Sequence, residues 1–68
     1  MFDNWALVYS TPHFYETEII KSIMAENDIE CISMNKKDSA YLFGDIEVYV
    51  PKGEALRAKQ LIPDFKSE

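Results

Sequence analysis

Asn4 to Ser10 holds Trp5, Ala6, Leu7, Val8 and Tyr9, a continuous apolar run of strand formers closed by polar residues at both ends, which predicts a first strand. It runs into Ser10-Thr11-Pro12, a hydroxyl residue ahead of a proline whose fixed φ suits the first turn of a helix, so a helix is expected to open there. Within that helix Tyr15, Ile19 and Ile23, with Ile20 and Met24 on the adjoining row, recur every four residues and predict one apolar face. Glu18, Lys21, Ser22 and Glu26 take the other face, and Glu16 and Glu18 place negative charge near the helix start, where the dipole favours it. Asn27-Asp28 is the expected stop, because both residues tolerate the left-handed conformation.

From Ile29 to Asn35 the pattern switches to period two, with Ile29, Cys31 and Ser33 against Glu30, Ile32 and Met34, and predicts a second strand. Asn35 to Gly44 is long for a hairpin connection. Asp45 to Val50 alternates most clearly, Ile46, Val48 and Val50 against Glu47 and Tyr49, until Pro51 ends the third strand. Gly53 to Ile62 carries a weaker helical stripe of Ala55, Ala58, Leu61 and Ile62, stopped by Pro63, and a frayed tail is expected from Asp64 to Glu68.

The order β-α-β-β-α fits an α+β fold, a split β-α-β in which the third strand lies between the first two and antiparallel to both. The expectation is a three-stranded antiparallel sheet in the order 1-3-2, with two helices on one face and one domain over residues 1–68. If Ala6 and Val8 face the helices, strict alternation puts Trp5, Leu7 and Tyr9 on the open face beside Ile32, Met34 and Tyr49. Such a patch reads as an interface for a second copy or another protein. The plainer reading is that Phe65 in the tail, or Tyr41-Leu42-Phe43, folds back over it.

Composition sharpens this picture. A chain of 68 residues has a thin core, one cysteine cannot form an internal disulfide, and one histidine with one cysteine falls short of a zinc ligand set. No metal or cofactor is expected, and homo-oligomerisation is the remaining route to added stability. The net charge of −5 opposes binding to a phosphate backbone, so nucleic acid is not an expected partner. The sequence offers no signal peptide or membrane span, which points to a cytoplasmic location.

Two further segments carry candidate chemistry. In Asn35-Lys36-Lys37-Asp38-Ser39-Ala40-Tyr41, two lysines beside an amide and hydroxyls suit a small anionic ligand, though the same residues are ordinary solvated turn formers. Ser10 and Thr11, next to the free N–H groups of the first helix, form a second candidate anion site, with simple helix capping as the alternative. Catalysis has little support: His13 has no neighbour that would orient it, and Cys31 in an apolar strand reads as an inert, buried thiol.

Taken together, Leu7-Val8-Tyr9-Ser10-Thr11-Pro12, Glu18-Ile19-Ile20-Lys21, Asn35-Lys36-Lys37-Asp38-Ser39 and Glu47-Val48-Tyr49-Val50-Pro51 make the chain resemble a small bacterial family of signal-transducing proteins of unassigned function, most closely its Bacteroidetes versions. The resemblance runs from Trp5 to Ile62. It implies a domain akin to the nitrogen-regulatory PII-like and ferredoxin-like folds, which associate through their sheets, and it puts Lys36 to Tyr41 where PII-type proteins carry a signalling loop. It implies no catalytic mechanism, and with no glycine-rich loop in this chain ATP or 2-oxoglutarate binding does not carry over. The expected function is a noncatalytic regulatory module. The rival is a purely structural interaction domain without a small-molecule ligand.

Overall fold

The computed structural model describes residues 4–35 and 45–65. Strand β1 spans Trp5–Thr11, helix α1 Phe14–Glu26, strand β2 Ile32–Asn35, strand β3 Ile46–Pro51, and helix α2 Ala55–Leu61, which a single 3₁₀ turn at Lys52–Glu54 leads into. The three strands form one antiparallel sheet in the order β1-β3-β2, the expected α+β arrangement.

Period two on β3 builds the core. Ile46, Val48 and Val50 share one face and are 3%, 0% and 0% exposed. Val48 and Val50 pack with Ile20 and Met24 of α1 and Ala58 of α2, so both helices cover that same face of the sheet. The molecule is a two-layer slab with Cα extents of 36 × 35 × 15 Å. Helix α2 follows the expected stripe: Ala58 is buried, Ala55, Leu61 and Ile62 pack beside it, and Leu56 points outward.

Four local features depart from the sequence expectation, each for a physical reason. The pairing of β1 with β3 shifts between Leu7 and Tyr9, a β-bulge that turns two successive residues inward. Ala6 lies opposite Val50, Leu7 opposite Tyr49, and Tyr9 opposite the buried Val48. Val8 and Tyr9 therefore both pack on the helix-covered core, and Tyr9 does not belong to the open face.

Helix α1 starts at Phe14, two residues past Pro12, because Thr11 completes β1 and its Oγ1 accepts the His13 backbone N–H at 3.0 Å. Its buried residues are Glu16, Thr17, Ile20 and Met24, whereas Tyr15 and Ile19 are 59% and 41% exposed, so the helix is rolled away from the apolar row seen in the sequence.

Strand β2 starts at Ile32 and not at Ile29, because Ile29 belongs to the end of α1. Asp28 adopts φ 59°, its N–H reaches the Ala25 carbonyl at 3.2 Å, and the Ile29 N–H reaches the Met24 carbonyl at 2.9 Å. This paired termination satisfies two end carbonyls of the helix and drops Ile29 into the core beside Met24. The Asn27 side chain adds a bond from Nδ2 to the Ile23 carbonyl at 2.8 Å.

One buried group on α1 lacks a partner. Thr17 is 1% exposed, and its Oγ1 has no hydrogen-bond partner. A buried polar atom without a partner costs about 1–3 kcal/mol, so the near-isosteric Thr17→Val is expected to raise stability by about 1 kcal/mol, read as a higher urea midpoint with unchanged slope. A lower midpoint would show that the hydroxyl is satisfied in solution.

Candidate functional site

Two surfaces gather the residues of interest, one on each side of the sheet. The first is the face of the sheet opposite the helices. Facing residues of an antiparallel pair project to the same side, so Leu7, Tyr49 and Ile32 form one row across all three strands. Ser10, Glu47 and Met34 form the next row, and Trp5 lies opposite Pro51 beyond the first. Leu7 is 45% exposed, while Trp5, Ile32, Met34 and Tyr49 are half-buried. The Tyr49 hydroxyl donates to Glu47 Oε1 at 2.7 Å along the same strand, which draws the carboxylate toward the ring. That bond, then burial, pushes the Tyr49 hydroxyl above the ordinary tyrosine range. Five of the six expected interface residues thus share this face, and Tyr9 is the exception.

The second surface is a half-open cleft of about 430 Å³ on the helix side, where β1 passes into α1. Tyr9, Ser10, Thr11, Pro12, His13, Tyr15, Glu16 and Phe65 line it. Its floor is a network centred on Glu16, which is only 6% exposed. The Thr11 hydroxyl donates to Glu16 Oε1 at 2.5 Å, and the Tyr9 hydroxyl donates to the same oxygen at 3.2 Å. Burial, followed by the bond to Glu16 and its charge, pushes the Tyr9 hydroxyl above the ordinary tyrosine range, with Asp64 adding to the effect. Tyr9 and Phe65 form a corner of two tilted rings with centroids 5.8 Å apart, and His13 and Tyr15 form another at 5.6 Å.

This geometry changes the reading of Ser10 and Thr11. Thr11 gives its proton to Glu16, so the position expected to hold an anion beside the first turn of α1 is held by the chain's own carboxylate. Ser10 lies on the open side of the strand and donates to Asp45 Oδ2 at 3.0 Å. Neither hydroxyl stands as a donor reserved for an external anion.

Glu16 and Phe65 are the cleft residues that sequence reasoning did not place there. Glu16 read as a dipole-compensating residue, and Phe65 as part of a frayed tail or a cover for the open face. No sequence spacing signals either contact, since the bulge that turns Tyr9 toward both has no residue signature of its own.

Asn35 closes β2 with its side chain exposed, whereas Lys36, Lys37, Asp38, Ser39 and Tyr41 lie outside the described residues. Cys31 is half-buried against the core, and burial raises its thiol above the usual cysteine range, with Lys21 pulling more weakly the other way. The raised thiol agrees with the sequence reading of a small hydrophobe, but Cys31 is half-buried just ahead of β2 and not buried within a strand as expected. Among the described residues, no helix is long and apolar enough to cross a membrane.

A family model described as "Putative prokaryotic signal transducing protein" matches residues 5–66 of the chain. Comparison with curated proteins and with solved structures gave no match to either.

Proposed function

This chain belongs to that prokaryotic signal-transducing family, and from that premise we propose that it is a noncatalytic regulatory module that pairs with a second copy of itself through the open face of its sheet. The row Leu7, Tyr49 and Ile32, flanked by Trp5 and Met34, is the observation that carries this reading. Sheets that bury both faces stack about 10 Å apart, and the elements of the described residues put both helices on one face, which supports a partner on the other.

A second copy fits better than an oppositely charged partner. The chain as a whole carries −5, yet the rows across the described part of this face contain one charged residue, Glu47, whose carboxylate is drawn to Tyr49, with Asp45 bonded to Ser10 at their margin. A nearly neutral, flat, aromatic and aliphatic patch is self-complementary under a two-fold axis. Pairing adds apolar burial to a core too small to be generous, and makes stability depend on concentration, a property a regulatory switch can use.

Analytical ultracentrifugation of the full chain across micromolar concentrations tests this. The expected result is a reversible rise to twice the chain mass, with Leu7→Glu weakening association by at least about ten-fold, since a carboxylate would be buried opposite its symmetry mate. Leu7 is 45% exposed in the single chain, so the variant keeps its fold. A single-chain mass at every concentration would overturn the reading.

A further inference from the structure

The Glu16 cleft offers chemistry that the open face does not. Glu16 is 6% exposed, and both hydroxyl donors converge on Oε1; among the described residues no donor reaches Oε2. Oε2 is not sealed from solvent, so its lone pairs open into the cleft and are free to meet a donor that enters it. The walls are aromatic, from Tyr9, Tyr15 and Phe65, and aromatic faces attract cations. The surroundings are electronegative as well, since Asp64 lies close enough to influence the Tyr9 hydroxyl. No lysine or arginine is among the described lining residues.

We propose that this cleft binds a small organic cation bearing N–H groups, an amine in its ammonium form. One N–H would bond to Glu16 Oε2, and the positive charge would lie against the rings of Tyr9, Tyr15 and Phe65.

Three features select this class of ligand. An inorganic divalent ion needs several oxygen ligands, and among the described residues no three metal-binding side chains come together. A quaternary ammonium has no N–H for Oε2. At about 430 Å³ the cleft is within the size range of small-molecule sites, large enough for an aliphatic amine and its chain. The same chemistry is presented by a free alkylamine and by the lysine side chain of another protein.

Backbone amide NMR shifts of the full chain provide the test. The first arm titrates 1,4-diaminobutane, and the second N-acetyl-lysine N-methylamide. Saturable shifts confined to the cleft residues support the proposal in either arm, and the tighter arm by ten-fold or more names the source. n-Butanol, with the same chain and no charge, is expected to give none. Tetramethylammonium is expected to bind at least about five-fold more weakly than the amines, because it cannot donate to Oε2.

Glu16→Gln keeps an oxygen for Thr11 and Tyr9 but removes the charge, and is expected to lower affinity about ten-fold or more. Tyr15→Leu, on an exposed position that the fold does not need, is expected to lower it about two- to five-fold. No saturable shifts with either amine, equal affinity in both variants, or tetramethylammonium binding as well as the amines would each overturn the proposal. The cleft is on the opposite side of the sheet from the proposed dimer face, so Leu7→Glu is expected to keep amine binding unchanged even where it abolishes pairing.

Discussion

Ile20→Ala is expected to leave a large share of the chain unfolded at physiological temperature. Ile20 is fully buried and sits in the cluster where α1 meets Val48, Val50 and α2. Truncating a buried isoleucine to alanine costs about 2–5 kcal/mol, the transfer term plus that of a cavity that the neighbours only partly fill. A single core in a domain of this size supplies about 3–5 kcal/mol, so the loss is comparable to the whole. Urea denaturation followed by far-UV circular dichroism should show the midpoint falling by about 2 M or more, given a slope near 1 kcal/mol/M for small domains. Leu56→Ala is the matched control, since Leu56 is 72% exposed and an exposed truncation of this kind stays within about 0.5 kcal/mol. Equal effects at the two positions would mean that α1 does not dock as described.

Thr11→Val is expected to cost about 2–3 kcal/mol, the next largest effect. The substitution keeps the shape of a side chain that is 2% exposed and deletes both of its bonds, the donation to Glu16 and the acceptance from the His13 N–H. A hydrogen bond to a charged group contributes about 1.5–3 kcal/mol, and its loss leaves a buried carboxylate with Tyr9 as its one remaining donor among the described residues. Thr11→Ser keeps the hydroxyl and gives up one methyl group, so it should cost no more than about 1 kcal/mol. A double-mutant cycle with Glu16→Gln isolates the pair: a coupling energy near zero would show that Thr11 stabilises through its methyl group alone.

The residues whose burial is set by short-range pattern were readable from the chain. Ile46, Val48 and Val50 alternate and are buried as the alternation demands, and the strand order follows from the right-handed crossover through α1, which leaves a gap between β1 and β2 for β3. Asp28 takes the left-handed conformation expected of a helix stop.

What the pattern misses is decided at longer range. The Tyr15-Ile19-Ile23 row is more hydrophobic than the Glu16-Thr17 side, yet the helix turns Glu16 and Thr17 inward, because Thr11 and Tyr9 offer the carboxylate two donors across the fold. Ile29 continues an alternating sequence but is claimed by the helix terminus before it. Tyr9 obeys period two until the bulge breaks the count by one. The one residue lost from the open-face row, and the Tyr9 wall of the cleft, both follow from that shift, which explains why the row was largely legible and the Glu16 cleft was not.

The same bulge bears on how large an assembly can become. A straight outer strand is a template to which further chains add side by side without limit, the geometry of fibrils. Here one outer strand is kinked at its middle and the other is four residues long, so neither margin offers a long regular ladder for lateral growth. Open-ended ribbon growth along a strand margin is thereby disfavoured, which is compatible with the pairing through the sheet face proposed above.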